Sequence, residues 1–490
     1  MNFNSVSYMV FLPVVATGWF LIPEKFKNIY LLAVSYYFYL CNEVRFFLLL
    51  PVLTAITWGA GAVMEKVKNK KAVFLSALLA NLGTLVFFKY NRFFLGAITT
   101  ATGAVFDLTK WMLPMGISFY VFMAVSYLAD VYTGKYPAEK SILKFACYIS
   151  FFPHILMGPI DRRDSFIPQL DKKHKFDYSR VRTACQLMAI GFFKKIAVAD
   201  ILAKMIDRVH SDLTSYTGLM LIFTAVMYSF QLYADFSGYS DIARGSAMVL
   251  GFDIKDNFRT PYLATSIKDF WRRWHISLSE WFTSYIYFPL GGSRVSRGRH
   301  LGNLFIVFLV SGIWHGNTWN YVIWGALHGV YRVGNQLINS HFPANGSKNS
   351  PVVNWLKRLA VFCLVTFSWI FFRAKDLPSA GYYISHLFAD LSPATFMGGL
   401  YNAVKTGFDA TPLLIYAYIA FNIVSVTVLV VIDCIRCFGM KDGCLTGVFD
   451  KMKPWQRWLC YYGLVALIMA GFIMNNGGYG ASASFIYNNY

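Results

Sequence analysis

Stretches of roughly twenty mostly apolar residues recur along this chain, separated by short loops rich in Lys and Arg. A stretch of about 20 apolar residues crosses a hydrocarbon layer about 30 Å thick. Backbone N–H and C=O groups find no water there, so each crossing satisfies its own hydrogen bonds as a helix. Candidate crossings are 7–23, 28–42, 46–64, 72–90, 111–132, 185–206, 216–234, 301–316, 319–338, 355–373, 413–433 and 457–474. The expected fold is therefore an all-α polytopic integral membrane protein with about 12 transmembrane helices. Composition agrees: 14% of residues are charged, against about 25% in soluble domains. The chain is expected to form a single membrane domain over 1–490, with a catalytic core at about 145–340.

The formal charge of +20 sits where short loops leave the apolar segments. Residues 65–71, 161–182, 291–300 and 434–457 are rich in Lys and Arg, as the positive-inside rule requires of cytoplasmic loops. Basic loops facing anionic lipid explain this charge, and nucleic-acid binding is not needed. Residues 1–7 and 475–490 carry no charged side chain. An even number of crossings then puts both termini outside, including the tail 475–490. The stretch Val6 to Ile22 has no basic region before it and no small-residue cleavage site, so it reads as a retained first helix. The eight cysteines are scattered, and Cys434 and Cys437 lack the further ligands a structural zinc site needs. No metal site is expected.

Two regions depart from the simple pattern. Residues 145–160 are apolar but interrupted by Pro153 and Pro159, which suggests a re-entrant element enclosed by protein. Residues 235–300 are aromatic yet also charged, through Asp235, Asp241, Arg244, Lys255, Asp256, Arg259 and others. Interfacial amphipathic helices, or helices dipping into the bundle, fit that mixture.

Ionisable groups at membrane depth are costly and point to function. His315 lies in SGIWHGNTW (311–319), between Gly312 and Gly316; His275 lies in FWRRWHISLSEWF (270–282). Burial keeps imidazole neutral and able to accept a proton, the task of a general base near neutral pH. The alternative for each is a core histidine bonded to a neighbouring helix. His328, in WGALHGVY, suits helix packing, and His154, in FFPHILMGP, suits a pore lining or the support of the re-entrant turn. His174, His210, His300 and His341 are expected in solvated loops. The sequence has no H-E-x-x-H, G-x-S-x-G or Walker-type loop, so the corresponding protease, serine-hydrolase and ATPase chemistries have no carrier. A buried base without a protein nucleophile beside it suggests direct transfer, in which a deprotonated hydroxyl attacks an activated acyl group.

Six blocks make the reading specific: FFPHILMGPIDR (151–162), YADFSGYSDIARG (233–245), NFRTPYLATSIKDFWRRWHISLSEWF (257–282), YIYFPLGG (285–292), SGIWHGNTWNYVIWGALHG (311–329) and SWIFFRA (368–374). In order and spacing this chain resembles the membrane-bound O-acyltransferase family, in the branch of the alginate O-acetylation membrane protein. The D-alanyl branch, which modifies teichoic acids, shares the central blocks; chain length and SWIFFRA favour the alginate branch.

The resemblance implies a ring of helices around a central funnel open to the cytoplasm, with re-entrant and interfacial helices. It implies His315 as the catalytic histidine and His275 at the second family position, orienting the acceptor or stabilising charge on the thioester oxygen. The expected activity is O-acyl transfer, with acetyl the expected group, from a cytoplasmic thioester across the bacterial cytoplasmic membrane to a cell-surface polysaccharide. Acetyl-coenzyme A is the expected donor substrate; no bound cofactor is expected. A partner acetyltransferase outside the membrane would complete delivery to polysaccharide. Lys268, Arg272 and Arg273 are candidates to hold the donor phosphates, or interfacial anchors. The terminal FIYNNY (485–490) resembles an F-x-Y-x-x-F terminus in related proteins, which makes Tyr487 a candidate acyl relay; the alternative is an aromatic belt residue. D-alanyl transfer from a carrier-protein thioester and a non-enzymatic transporter are the competing readings.

Overall fold

A computed structural model describes residues 1–102, 113–341, 350–408, 411–439, 448–449 and 452–476. Among these, every regular element is helical. Among the described residues, each of the twelve apolar segments overlaps a helix. Five helices among the described residues are long and apolar enough to cross a membrane: Lys70–Asn91, Leu219–Leu250, Pro351–Arg373, Pro412–Phe438 and Pro454–Asn475. Val6–Leu21, Leu49–Met64 and Ile117–Tyr132 are shorter apolar helices. The chain is a polytopic membrane protein, built as two compact units.

The first unit comprises Met1–Met188 and Ile242–Asp256. Its helices are α1 (Val6–Leu21), α2 (Lys27–Leu40), α3 (Leu49–Met64), α4 (Lys70–Thr102), α5 (Ile117–Tyr132) and α6 (Ile142–Ser150). Ser5 and Ser141 open α1 and α6 by accepting backbone N–H groups of the first turn, which would otherwise lack a partner. After Ser150 the chain leaves the helix and turns through Phe151–Ile160, every residue of which is buried. Non-helical backbone is thus enclosed by protein, as the prolines at 153 and 159 suggest. His154 supports this turn: its Nε2 lies 2.8 Å from the Tyr148 carbonyl, and its Nδ1 lies 3.5 Å from Asp161. The expectation of a solvated His174 is corrected. It is buried, donates to the Gln169 carbonyl at 2.8 Å and packs on Phe252. His210, His300 and His341 lie on helices rather than in loops, and only His341 of the three is fully exposed.

The second unit comprises Ala189–Asp241 and the residues from Asn257 onward. A helix α7 (Tyr178–Phe192) runs through a π-helical stretch, Phe193–Ala199, into α8 (Asp200–Ser211), followed by α9 (Leu219–Leu250). Two short helices follow, α10 (Ile267–Trp271) and α11 (Ile276–Phe282). Then come α12 (Arg297–His315), α13 (Trp319–His341), α14 (Pro351–Arg373), α15 (Leu377–Ser385), α16 (Pro393–Phe408), α17 (Pro412–Phe438) and α18 (Pro454–Asn476). Four of these begin on proline, whose fixed φ and missing N–H suit a first helical turn.

Of the two readings of residues 235–300, Asp235 and Asp241 fit the one in which helix dips into the bundle. Helix α9 continues to Leu250 and carries Asp235 and Asp241 inward, not to an interface. Their partners are consecutive buried lysines on the π-helical stretch. Lys194 Nζ lies 2.7 Å from Asp241, and Lys195 Nζ lies 2.7 Å from both Asp235 and Asp200. A π turn places successive side chains differently from an α turn, and such turns concentrate at functional sites. Gly238 allows the close approach: a Cβ there would stand 2.8 Å from the Gly191 carbonyl.

Candidate active site

The two histidines singled out in the sequence are both in the second unit. His315 ends α12, and α13 begins four residues later, so the two helices form a tight hairpin. Gly312 and Gly325 face each other across it; a Cβ on Gly325 would stand 2.9 Å from the Gly312 Cα. Gly325 and Gly329 are four residues apart, the small-x-x-x-small spacing by which membrane helices approach closely. This contact fixes the end of α12, and with it the position of His315.

His315 is buried, with its Nδ1 2.7 Å from the Ser311 carbonyl one turn earlier. A carbonyl oxygen can only accept, so Nδ1 carries the proton. In the neutral ring Nε2 then holds the lone pair and is the basic atom. Rings close around it: Trp314 and Trp324 at 4.7 Å between centroids, and Phe372 at 5.5 Å. Trp324 stacks on Trp369, which in turn meets Trp274, the residue before His275. Trp369 and Phe372 come from the SWIFFRA block. The aromatic wall excludes water, and in such a low-dielectric surrounding a fixed dipole or charge acts more strongly than in water.

His275 reaches the site by strained backbone. Its φ is +44°, and that of Thr260 is +48°, a region costly for residues other than glycine and frequent at functional sites. Two backbone bonds lock this stretch to the segment before it: Ile276 N–H to the Asn257 carbonyl at 3.0 Å, and Arg259 N–H to the Arg273 carbonyl at 2.9 Å. Phe236 of α9 packs edge-on to the imidazole at 4.7 Å. Burial, and secondarily the nearby His315, hold the His275 imidazole well below the ordinary histidine range, so it is neutral.

His328 behaves differently. The Trp271 indole N–H donates to its Nδ1 at 3.3 Å. Its Nε2 lies 2.9 Å from Ser368 Oγ, whose own proton goes to the Val365 carbonyl at 2.7 Å. Both ring nitrogens are used, which fits the packing role read from the sequence. Of the donor-phosphate candidates, Lys268 and Arg272 are exposed. Arg273 is tied to Asp269 at 2.9 Å and to Thr260 at 3.2 Å. Tyr487 lies outside the described residues. Asn257, which bonds His275, carries no local signal in the sequence; the lysine pair at 194–195 does, as a doublet within an apolar segment.

A bundle of apolar helices that buries two histidines in an aromatic wall, with one basic nitrogen defined, suits proton abstraction from a hydroxyl. Comparison with known proteins gives the class: the family model for the membrane-bound O-acyltransferases matches residues 134–373, a span that includes both histidines. The chain belongs to this family and is an O-acyltransferase. Within it, the chain falls in the alginate O-acetylase branch. It is 37% identical over 386 residues to the "Probable alginate O-acetylase AlgI" of Pseudomonas aeruginosa, covering 77% of this chain and 72% of that protein. It is 32% identical over 413 residues to the peptidoglycan O-acetyltransferase of Helicobacter pylori, covering 77% of this chain and 78% of that protein. It is 29% identical over 280 residues to the teichoic acid D-alanyltransferase of Streptococcus thermophilus, covering 52% and 66%.

Proposed function

We propose that this protein takes an acetyl group from acetyl-coenzyme A at the cytoplasmic face and passes it across the bacterial cytoplasmic membrane for O-acetylation of a surface polysaccharide. The observation that carries the reading is His315: a buried imidazole with Nδ1 committed to the Ser311 carbonyl and Nε2 left as its basic atom. Nε2 takes the proton of the acceptor hydroxyl as its oxygen attacks the thioester carbonyl. The C–O bond forms and the C–S bond breaks. The departing thiolate takes up the proton held by His315, which restores the neutral base. A positioned general base of this kind contributes about 10²–10⁴ in rate.

His275 assists by orienting the acceptor or by stabilising charge on the thioester oxygen. Lys268 and Arg272 are exposed and available to the donor phosphates; Arg273, already paired with Asp269, is the weaker candidate. The twelve helical segments read as twelve crossings within a single membrane domain, its catalytic core at about 145–340, with basic loops in the cytoplasm and both termini outside. Tyr487 then lies on the outer side, where a tyrosyl ester keeps transfer potential because a phenol is a better leaving group than a sugar hydroxyl. A separate acetyltransferase outside the membrane completes delivery.

Membership of an enzyme family sets aside the non-enzymatic transporter. D-alanyl transfer stays as the second reading, favoured by the match to a teichoic acid D-alanyltransferase over 52% of this chain. Purified protein in lipid nanodiscs, given acetyl-coenzyme A, is expected to release thiol faster than the His315→Ala variant. Consumption of a D-alanyl carrier thioester instead would support the second reading, and consumption of neither would reject both.

A further inference from the structure

Asn257 is buried completely, and three donors converge on its side-chain oxygen. Ser277 N–H lies 3.1 Å from Oδ1, Ser277 Oγ 3.0 Å and His275 Nδ1 3.2 Å. The backbone N–H of Ser277 can only donate, which identifies the atom it meets as the oxygen of the amide. His275 Nδ1 therefore faces an acceptor and must carry the proton. The amide nitrogen of Asn257 points to Ser240 Oγ on α9 at 3.5 Å, and its backbone carbonyl holds Ile276 N–H. One residue thus fixes the strained backbone of His275 and the proton position on its ring.

We propose that Asn257 is a positioning residue for acyl transfer, holding His275 as the Nδ1–H tautomer so that Nε2 presents a lone pair to a second O–H donor beside the acceptor hydroxyl, whose own proton goes to His315. This rests on the reading of His275 given above and selects between its two roles. A neutral ring with its proton on Nδ1 accepts a hydrogen bond at Nε2; it has no N–H there to offer an oxyanion. Without Asn257 the ring is free to carry its proton on Nε2, and the lone pair is lost from the reacting side. The competing explanation is structural: Asn257 also caps α11 through Ser277 N–H.

The two explanations separate on pH. Asn257→Asp keeps an oxygen for all three donors and so keeps the cap. A carboxylate also favours the imidazolium, as a partner charge does for any histidine. His315, from α12, is the titratable group that acts on His275; Ser240 and Phe236 face the site from α9 without charge, and Arg273 and Asp269 neutralise each other.

The test uses the full chain in nanodiscs with acetyl-coenzyme A, following thiol release across pH at matched protein. Asn257→Ala is expected to lower kcat on the order of 10²-fold, the lower end for a positioned acid–base group, with KM for the donor unchanged. Asn257→Asp is expected to stay active with the acid limb of its profile moved to higher pH. Neither change should add to the loss in a His275→Ala background. An Asn257→Asp profile that overlies the wild type, while His275→Ala is impaired, overturns the proposal and leaves the role of His275 standing. Full activity in His275→Ala removes the role of His275, and the proposal with it.

Discussion

The indole N–H of Trp271 donates to Nδ1 of His328 across 3.3 Å, and this bond separates His328 from the neighbouring His315. With Ser368 at its other nitrogen, His328 has no lone pair left for a substrate proton. His328→Gln is expected to retain acyl transfer within a few-fold while lowering stability by about 1–3 kcal/mol, the cost of leaving a buried donor unsatisfied. Thermal unfolding and thiol release, measured on one preparation, check both halves. A loss of activity as large as that of His315→Ala would put His328 in the chemistry.

The lysine doublet makes a prediction about folding. Lys194 with Asp241, and Lys195 with Asp235 and Asp200, are buried pairs. Removing one partner leaves an uncompensated charge, at a cost of roughly 3–5 kcal/mol, whereas replacing both with apolar residues is often neutral. Lys194→Met alone should reduce the yield of folded protein sharply, and Lys194→Met with Asp241→Leu should recover much of it. Size-exclusion profiles of the detergent-solubilised protein report the outcome. Equal yields for the single and double variants would show that the pair is not coupled.

Gly325 sits against Gly312, and a side chain there meets backbone, not the yielding tip of a side chain. Gly325→Val should force α12 and α13 apart, displace His315 and abolish transfer in protein that still inserts. Gly334, on the same helix, has open space beside it, so Gly334→Ala should be silent. Activity at matched membrane level distinguishes them, and equal activities would remove the hairpin contact from the account of the site.

Topology and the acyl relay are tested together. In a cysteine-free background, single cysteines at Lys70, Lys173 and Lys441 should label from the cytoplasmic side, and one at Ser482 from outside, following the Lys and Arg asymmetry. Tyr487→Phe keeps the aromatic body and removes only the hydroxyl. It should abolish delivery of acetyl to external glycan, while Tyr490→Phe should be nearly silent. Full glycan acetylation in Tyr487→Phe would make the terminus an anchor.

What the sequence reveals depends on how far apart the partners lie. The apolar segments are legible because each is a local property, and their starts are marked by local signals such as Ser350 before Pro351. His315 is legible because the glycines beside it signal close approach. The inward course of α9 is not: Asp235 and Asp241 look too polar for a buried helix until their lysines, some forty residues earlier, are seen to neutralise them. Asn257 is hidden for the same reason. An Asn in a loop before Pro261 looks like a turn residue, and its value lies in donors eighteen and twenty residues away.

The central claim is that His315 Nε2 is the base of acyl transfer. Acetyl content of the surface polysaccharide, compared between strains expressing the wild type and His315→Ala at equal membrane levels, tests it most directly. The account predicts that acetylation falls to the level of a strain lacking the protein. Acetylation near that of the wild type would contradict it.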